Sequence, residues 1–94
     1  MRDDHVKRGD CLARAANLIS HDRHDAYGDW EQNADCLSGL WSAYLGHEVK
    51  PRDIGPMLAL LKIMRLRLAG GHQDSSVDAC GYLALGAELD DQND

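Results

Sequence analysis

Met57-Leu58-Ala59-Leu60-Leu61-Lys62-Ile63-Met64-Arg65-Leu66-Arg67-Leu68, followed beyond Gly70-Gly71 by Asp74-x3-Asp78-x3-Tyr82, decides the fold class of this chain. At about 100° per residue, Met57, Leu61, Met64 and Leu68 form one narrow stripe while Ala59, Ile63 and Leu66 fall well away from it. The segment therefore reads as a helix that is apolar on several sides, and such a helix is either central in a bundle or at an oligomer interface. Arg65 projects between the directions of Ile54 and Leu58, with Lys62 roughly 60° further round. Both sit at the edge of the core face, where long stems are buried and charged heads are steered to a partner. Gly70-Gly71 ends this helix, Asp74 is placed to cap the last one, and Val77, Gly81, Ala84, Leu85 and Glu88 follow one side of it. These two helices form an antiparallel hairpin.

Upstream, two prolines offer two starts for the apolar helix, Pro51 after Lys50 or Pro56 after Gly55; a start at Pro51 requires Pro56 to kink the helix by removing a backbone donor. An earlier helix begins near Trp30, with Asp29 as its cap and Gln32 at the capping-box position. Ala34, Leu37, Leu40, Trp41, Tyr44 and Leu45 are its expected buried stripe and Gly46 its stop. Leu12, Ala15, Ala16 and Ile19 mark a first short helix from roughly Asp10 to Ser20. Four helices with short connections predict an all-α, four-helix bundle-like single domain over residues 1–94, with 1–9 and 90–94 as frayed termini.

Composition narrows the function classes. A chain of 94 residues holds one small core, and domains of this size often gain stability by pairing, so a homodimer is the default expectation. A net charge of -6 argues against direct nucleic-acid binding, which normally uses a basic surface, but it suits docking on a basic partner. Cys11, Cys36 and Cys80 are odd in number and widely spaced, which reads as buried thiols in a reducing cytoplasm. No apolar run approaches a membrane span, and the charged N-terminus lacks the apolar core of a signal peptide. A cytoplasmic protein is expected.

Several ordered islands add to this reading: Arg23-x3-Tyr27-Gly28-Asp29, Asn33, Leu40-Trp41-Ser42-Ala43-Tyr44-Leu45-Gly46, Leu60-Leu61-Lys62-x2-Arg65-Leu66, and Asp74-Ser75-x2-Asp78-x2-Gly81-Tyr82. Together they resemble a small phage and prophage helical domain family of unknown function, similar to nucleotide-modification-associated domains and more distantly to all-α nucleoside triphosphate pyrophosphatases of the MazG type. The resemblance covers roughly residues 13–88. It implies a nucleotide or nucleotide-like ligand and, if the protein is an enzyme at all, Mg²⁺-dependent pyrophosphohydrolysis. The chain departs from the family pattern at Trp30, Ala34, Pro56 and Ser76, losing aromatics that could stack on a base.

The candidate ligand-binding residues are Arg23, Tyr27, Asp29, Lys62, Arg65, Asp78 and Tyr82, with Lys62 and Arg65 able to grip a phosphate. The competing account is architectural: Asp78 neutralises Arg65 and fixes the hairpin, leaving Lys62 freer. A Mg²⁺ site would draw on Glu31, Asp35, Asp74 and Asp78, two i, i+4 acid pairs on separate helices; the plainer account makes them helix-start acids plus one ion pair. His21, His24 and Asp25 have ligand chemistry but lack a second cluster. Trp41 and Tyr44 suit the core or a dimer seam, and Trp30 suits an exposed anchor. Two functions follow. One is a ligand-binding bundle with a pocket bounded by residues 23–29, Lys62, Arg65, Asp78 and Tyr82. The other is an acidic phage inhibitor of a host protein, acting in anti-defence through Asp3, Asp4, Asp35, Asp90, Asp91 and Asp94.

Overall fold

The computed structural model describes residues 7–22, 29–69 and 73–92. They form α1 (Arg8–Asn17), which runs on into a π-helical turn (Leu18–Asp22), then α2 (Trp30–Leu45), α3 (Pro51–Ala69) and α4 (Gln73–Gln92). The architecture is all-α, with no strand among the described residues. Helix α1 opens two residues earlier than expected, at Arg8, and α4 continues past Asp90 to Gln92. The Gly70-Gly71 stop lies outside the described residues.

Local chemistry explains the helix ends. The Asp29 carboxylate accepts from the Glu31 backbone N–H at 3.0 Å and opens α2. Gly46 closes it in the left-handed conformation, φ 66°, and the N–H groups of Gly46 and His47 both donate to the Ser42 carbonyl. The Ser42 hydroxyl then clamps the connection: it accepts from Val49 N–H at 2.7 Å and donates to the Val49 carbonyl at 3.1 Å. Helix α3 takes the earlier of its two starts. Pro51 opens it, the Asp53 carboxylate accepts from Lys50 N–H at 3.0 Å, and Pro56 lies inside the helix, where it cannot donate to the Arg52 carbonyl.

The core sits at one end of the bundle. Ala34 of α2, Val49 of the connection, Ile54 of α3 and Leu89 of α4 are buried together, with Trp30, Leu37, Trp41, Met57 and Leu58 packed around them. The rest of the molecule is held by the antiparallel hairpin of α3 on α4. Three contacts fix its register: Arg52 to Asp90 at 3.2 Å, Gly55 against Gly86, and Lys62 to Asp78 at 3.1 Å. A Cβ on Gly55 would overlap the Tyr82 carbonyl oxygen and lie 2.9 Å from Gly86 Cα, so the two backbones touch directly.

Helix α4, not the greasier α3, is the central element. Ser75, Val77, Ala79, Gly81, Gly86 and Leu89 are all buried, because α3 packs along one flank while α1 and the π-helical turn pack on another. Ile19 illustrates the second contact, its Cγ2 lying 3.1 Å from where a Gly81 Cβ would stand. Burial here follows largely from small size, which lets neighbours close in, whereas Leu60, Leu61, Ile63, Met64 and Leu68 of α3 are left outside. The radius of gyration is 14.4 Å and the extents are 48 × 28 × 25 Å. A compact chain of this length would have a radius near about 12 Å, so this one is elongated and its core correspondingly thin.

Candidate functional site

Position along α3 explains which cation reaches the hairpin seam. The face turned to α4 runs Gly55, Ala59, Lys62, at i, i+4, i+7, and Arg65 lies roughly 80° away from it. Lys62 therefore pairs with Asp78, both side chains mostly buried at 22% and 14% exposure, while Arg65 is exposed. This reverses the expected assignment. The physical reason is that α3 is apolar nearly all round, so its hydrophobic pattern points to no single face and the small residues Gly55 and Ala59 decide which side approaches α4. The lysine stem packs in the seam and its head meets the carboxylate, which is the arrangement of a structural bridge.

One turn further along α4, Tyr82 meets Trp30 of α2, ring centroids 6.1 Å apart and tilted by 41°. Trp30 is thus half-buried and packed on the core, where exposure was expected. Its indole Nε1 is buried and has no hydrogen-bond acceptor among the described residues. Asp29, Trp30, Tyr82, Asp78 and Lys62 consequently lie along one junction between the start of α2 and the middle of the hairpin. Arg23 and Tyr27, and the His24 and Asp25 of the loop, lie outside the described residues, as does the side chain of His21.

The four carboxylates proposed for Mg²⁺ do not converge. Asp74 is in the first turn of α4, where it pairs with Arg14 of α1 at 3.0 Å instead of capping the helix. Asp78 is engaged by Lys62, and Glu31 and Asp35 lie exposed on α2. Among the described residues no group of three or more His, Cys, Asp or Glu side chains is placed to hold a metal ion. The cysteines also depart from expectation. Cys36 is exposed, whereas Cys11 and Cys80 are half-buried, and burial, reinforced by the neighbouring Cys11, raises the Cys80 thiol above its ordinary value.

The buried stripe of α2 is narrower than the apolar pattern suggested. Ala34, Leu37, Ser38 and Trp41 face inward, but Leu40 is 61% exposed, Tyr44 88% and Leu45 56%. Leu40 and Tyr44 are i, i+4 on one exposed flank of α2 together with Cys36, while the exposed Glu31 and Asp35 lie about 180° round on the opposite flank. The sequence did hold one signal for the hairpin that the apolar pattern hides: Gly55 and Gly86 stand inside helices, where glycine is costly unless a backbone comes close. No helix among the described residues is long and apolar enough to cross a membrane.

Comparison with known proteins places the chain among phage proteins. It is 42% identical over 75 residues to the Gene 55 protein of Mycobacterium phage L5, an alignment covering 79% of this chain and 48% of that protein. It is 35% identical over 71 residues to the Gene 55 protein of Mycobacterium phage D29, covering 76% of this chain and 47% of that protein. The chain thus spans about half the length of the curated relatives it matches. No solved structure matches it. A family model, Domain of unknown function (DUF6378), matches residues 10–90, and the islands of sequence that build the α2 cap, the Gly46 stop and the α3–α4 seam are therefore those of a chain that belongs to the DUF6378 family.

Proposed function

We propose that this protein is a phage-encoded docking module that acts by binding another protein through the outer face of α2. The observation that carries this reading is the exposure of Tyr44 and Leu40, i and i+4 on one flank of α2. An exposed tyrosine one turn from an exposed leucine is the composition of an interface anchor, since both give up water readily when a pocket closes on them. The chain's net charge of -6 would steer it to a basic surface. The partner that fits is a host protein with an apolar pocket beside a lysine- or arginine-rich rim, in keeping with an inhibitory or anti-defence role. The test is capture from host lysate with immobilised protein at low and high salt. Capture that weakens with salt and disappears in both Tyr44→Ala and Leu40→Ala supports the reading. Capture unchanged in both variants overturns it.

A second reading, a nucleotide-like ligand, draws on the Trp30 indole N–H, buried without an acceptor among the described residues beside Tyr82. A ligand carbonyl or ring nitrogen would satisfy it. The phosphate grip is weaker on this reading, because Lys62 is already neutralised by Asp78. Pyrophosphatase chemistry would need Glu31, Asp35, Asp74 and Asp78 on one ion, and two of the four are held by cations of other helices. Thermal shift with nucleoside mono-, di- and triphosphates separates the readings. A rise in Tm that Trp30→Phe removes would favour the ligand and count against the docking module.

A further inference from the structure

Helix α3 has three sides: one packs on α4, one joins the core over the first half of the helix, and the third is uncovered. Gly55, Ala59 and Lys62 face α4, and Ile54, Met57 and Leu58 join the core shared with α2. On the third side stand Asp53, Pro56, Leu60, Ile63, Met64 and Arg67, all exposed, with Leu60 at 64%. Asp53, Leu60 and Arg67 are spaced by sevens and fall within about 40° of one another, with Pro56 and Ile63 at the intervening positions. This is a two-heptad seam, apolar in the middle and oppositely charged at its two ends.

We propose that this seam pairs with the same seam of a second copy, α3 against α3 antiparallel about a two-fold axis at Leu60. The charge order selects this occupant and this direction. Asp53 and Arg67 are equidistant from Leu60, so antiparallel pairing of Leu60 on the partner's Leu60 sets Asp53 opposite the partner's Arg67, and Arg67 opposite the partner's Asp53. The same register sets Pro56 opposite the partner's Met64 and Met57 opposite the partner's Ile63. Parallel pairing would instead oppose like charges at both ends. A two-fold interface requires a surface complementary to itself, and an unrelated partner would require no such symmetry. The need for further burial is also visible: among the described residues eight hydrophobic side chains are buried while ten large ones are exposed. The pairing leaves the outer face of α2 open and does not depend on what that face binds.

The experiment is sedimentation equilibrium on the intact 94-residue chain at about 100 μM, where even weak dimers populate. The wild type is expected to be dimeric, and Leu60→Glu should raise the dimer Kd by at least about 30-fold, as removal of a central anchor does. Helical circular dichroism of that variant should be unchanged, because Leu60 is exposed in the single chain. A second arm is independent of packing. Asp53→Lys and Arg67→Glu should each be monomeric alone, through like charges across the seam, and should form a dimer when mixed, since each supplies the charge the other has lost. A monomeric wild type, a dimer that survives Leu60→Glu, or no recovery on mixing would overturn the proposal, and the first outcome would leave the seam to a different protein.

Discussion

Replacing Gly55 by alanine tests the hairpin seam directly, because the same change elsewhere in the molecule should have the opposite sign. Inside a helix, Gly→Ala is favourable by about 1 kcal/mol. At Gly55 the new methyl would overlap the Tyr82 carbonyl oxygen and come within 2.9 Å of Gly86 Cα and N. These obstacles are backbone atoms, so no rotamer change relieves them, and α3 and α4 must separate by roughly 1 Å. A gap of that size forfeits about a quarter to a half of the dispersion contact it opens, and overpacking of this kind costs about 1–3 kcal/mol, occasionally more. Because the obstacles are backbone atoms the cost lies at the top of that range, so after the helical gain a net loss of about 2 kcal/mol is expected, a large share of the roughly 5–14 kcal/mol stability of a domain this size. Urea unfolding followed by helical circular dichroism should show it, with Tm lower by about 8–16 °C. Gly39→Ala is the control. Gly39 lies mid-helix in α2, exposed, with nothing within 4 Å of its would-be Cβ, and should become more stable by about 0.5–1 kcal/mol. If Gly55→Ala were neutral or stabilising like Gly39→Ala, the close backbone contact and the register built on it would be refuted.

Three further outcomes follow from the same geometry. Lys62→Ala and Asp78→Asn should each cost about 1–2 kcal/mol, less than a fully buried pair because both side chains keep some solvent, and their double mutant should show coupling near 1 kcal/mol, whereas Arg65→Ala should change little; denaturant titrations check all four. Ser42→Ala removes both hydrogen bonds to Val49 and leaves its backbone groups unsatisfied in a partly buried place, so about 1–2 kcal/mol should be lost at an unchanged m-value. Timed alkylation read by mass spectrometry should label exposed Cys36 first and Cys80 slowly; burial, reinforced by Cys11, raises the Cys80 pKa in the native state, so its contribution to stability is complete below the ordinary thiol value of 9.0 and declines as pH rises towards the native value.

What the sequence determined by itself was the set of helices and how they end. Asp29 and Gly46 act through their own backbone neighbours, within a few residues, and their expected places in the fold are where the structure has them, while of the two starts that Pro51 and Pro56 left open the structure takes Pro51. The all-α class followed for the same reason. Tertiary structure decided which side of each helix is inside, and here the apolar pattern was a poor guide. On α3 it pointed in every direction, so Lys62 rather than Arg65 reached Asp78 once the small face of Gly55 and Ala59 had met Gly86. On α2 it predicted burial for Leu40, Tyr44 and Leu45, which the thin, elongated core does not reach. On α4, burial on several sides came from residues too small to announce it. Local chemistry is written in neighbouring residues, but the choice of a buried face is made by which surfaces fit closely across the fold, and in this chain glycine and alanine, with almost no hydrophobic signal of their own, made that choice.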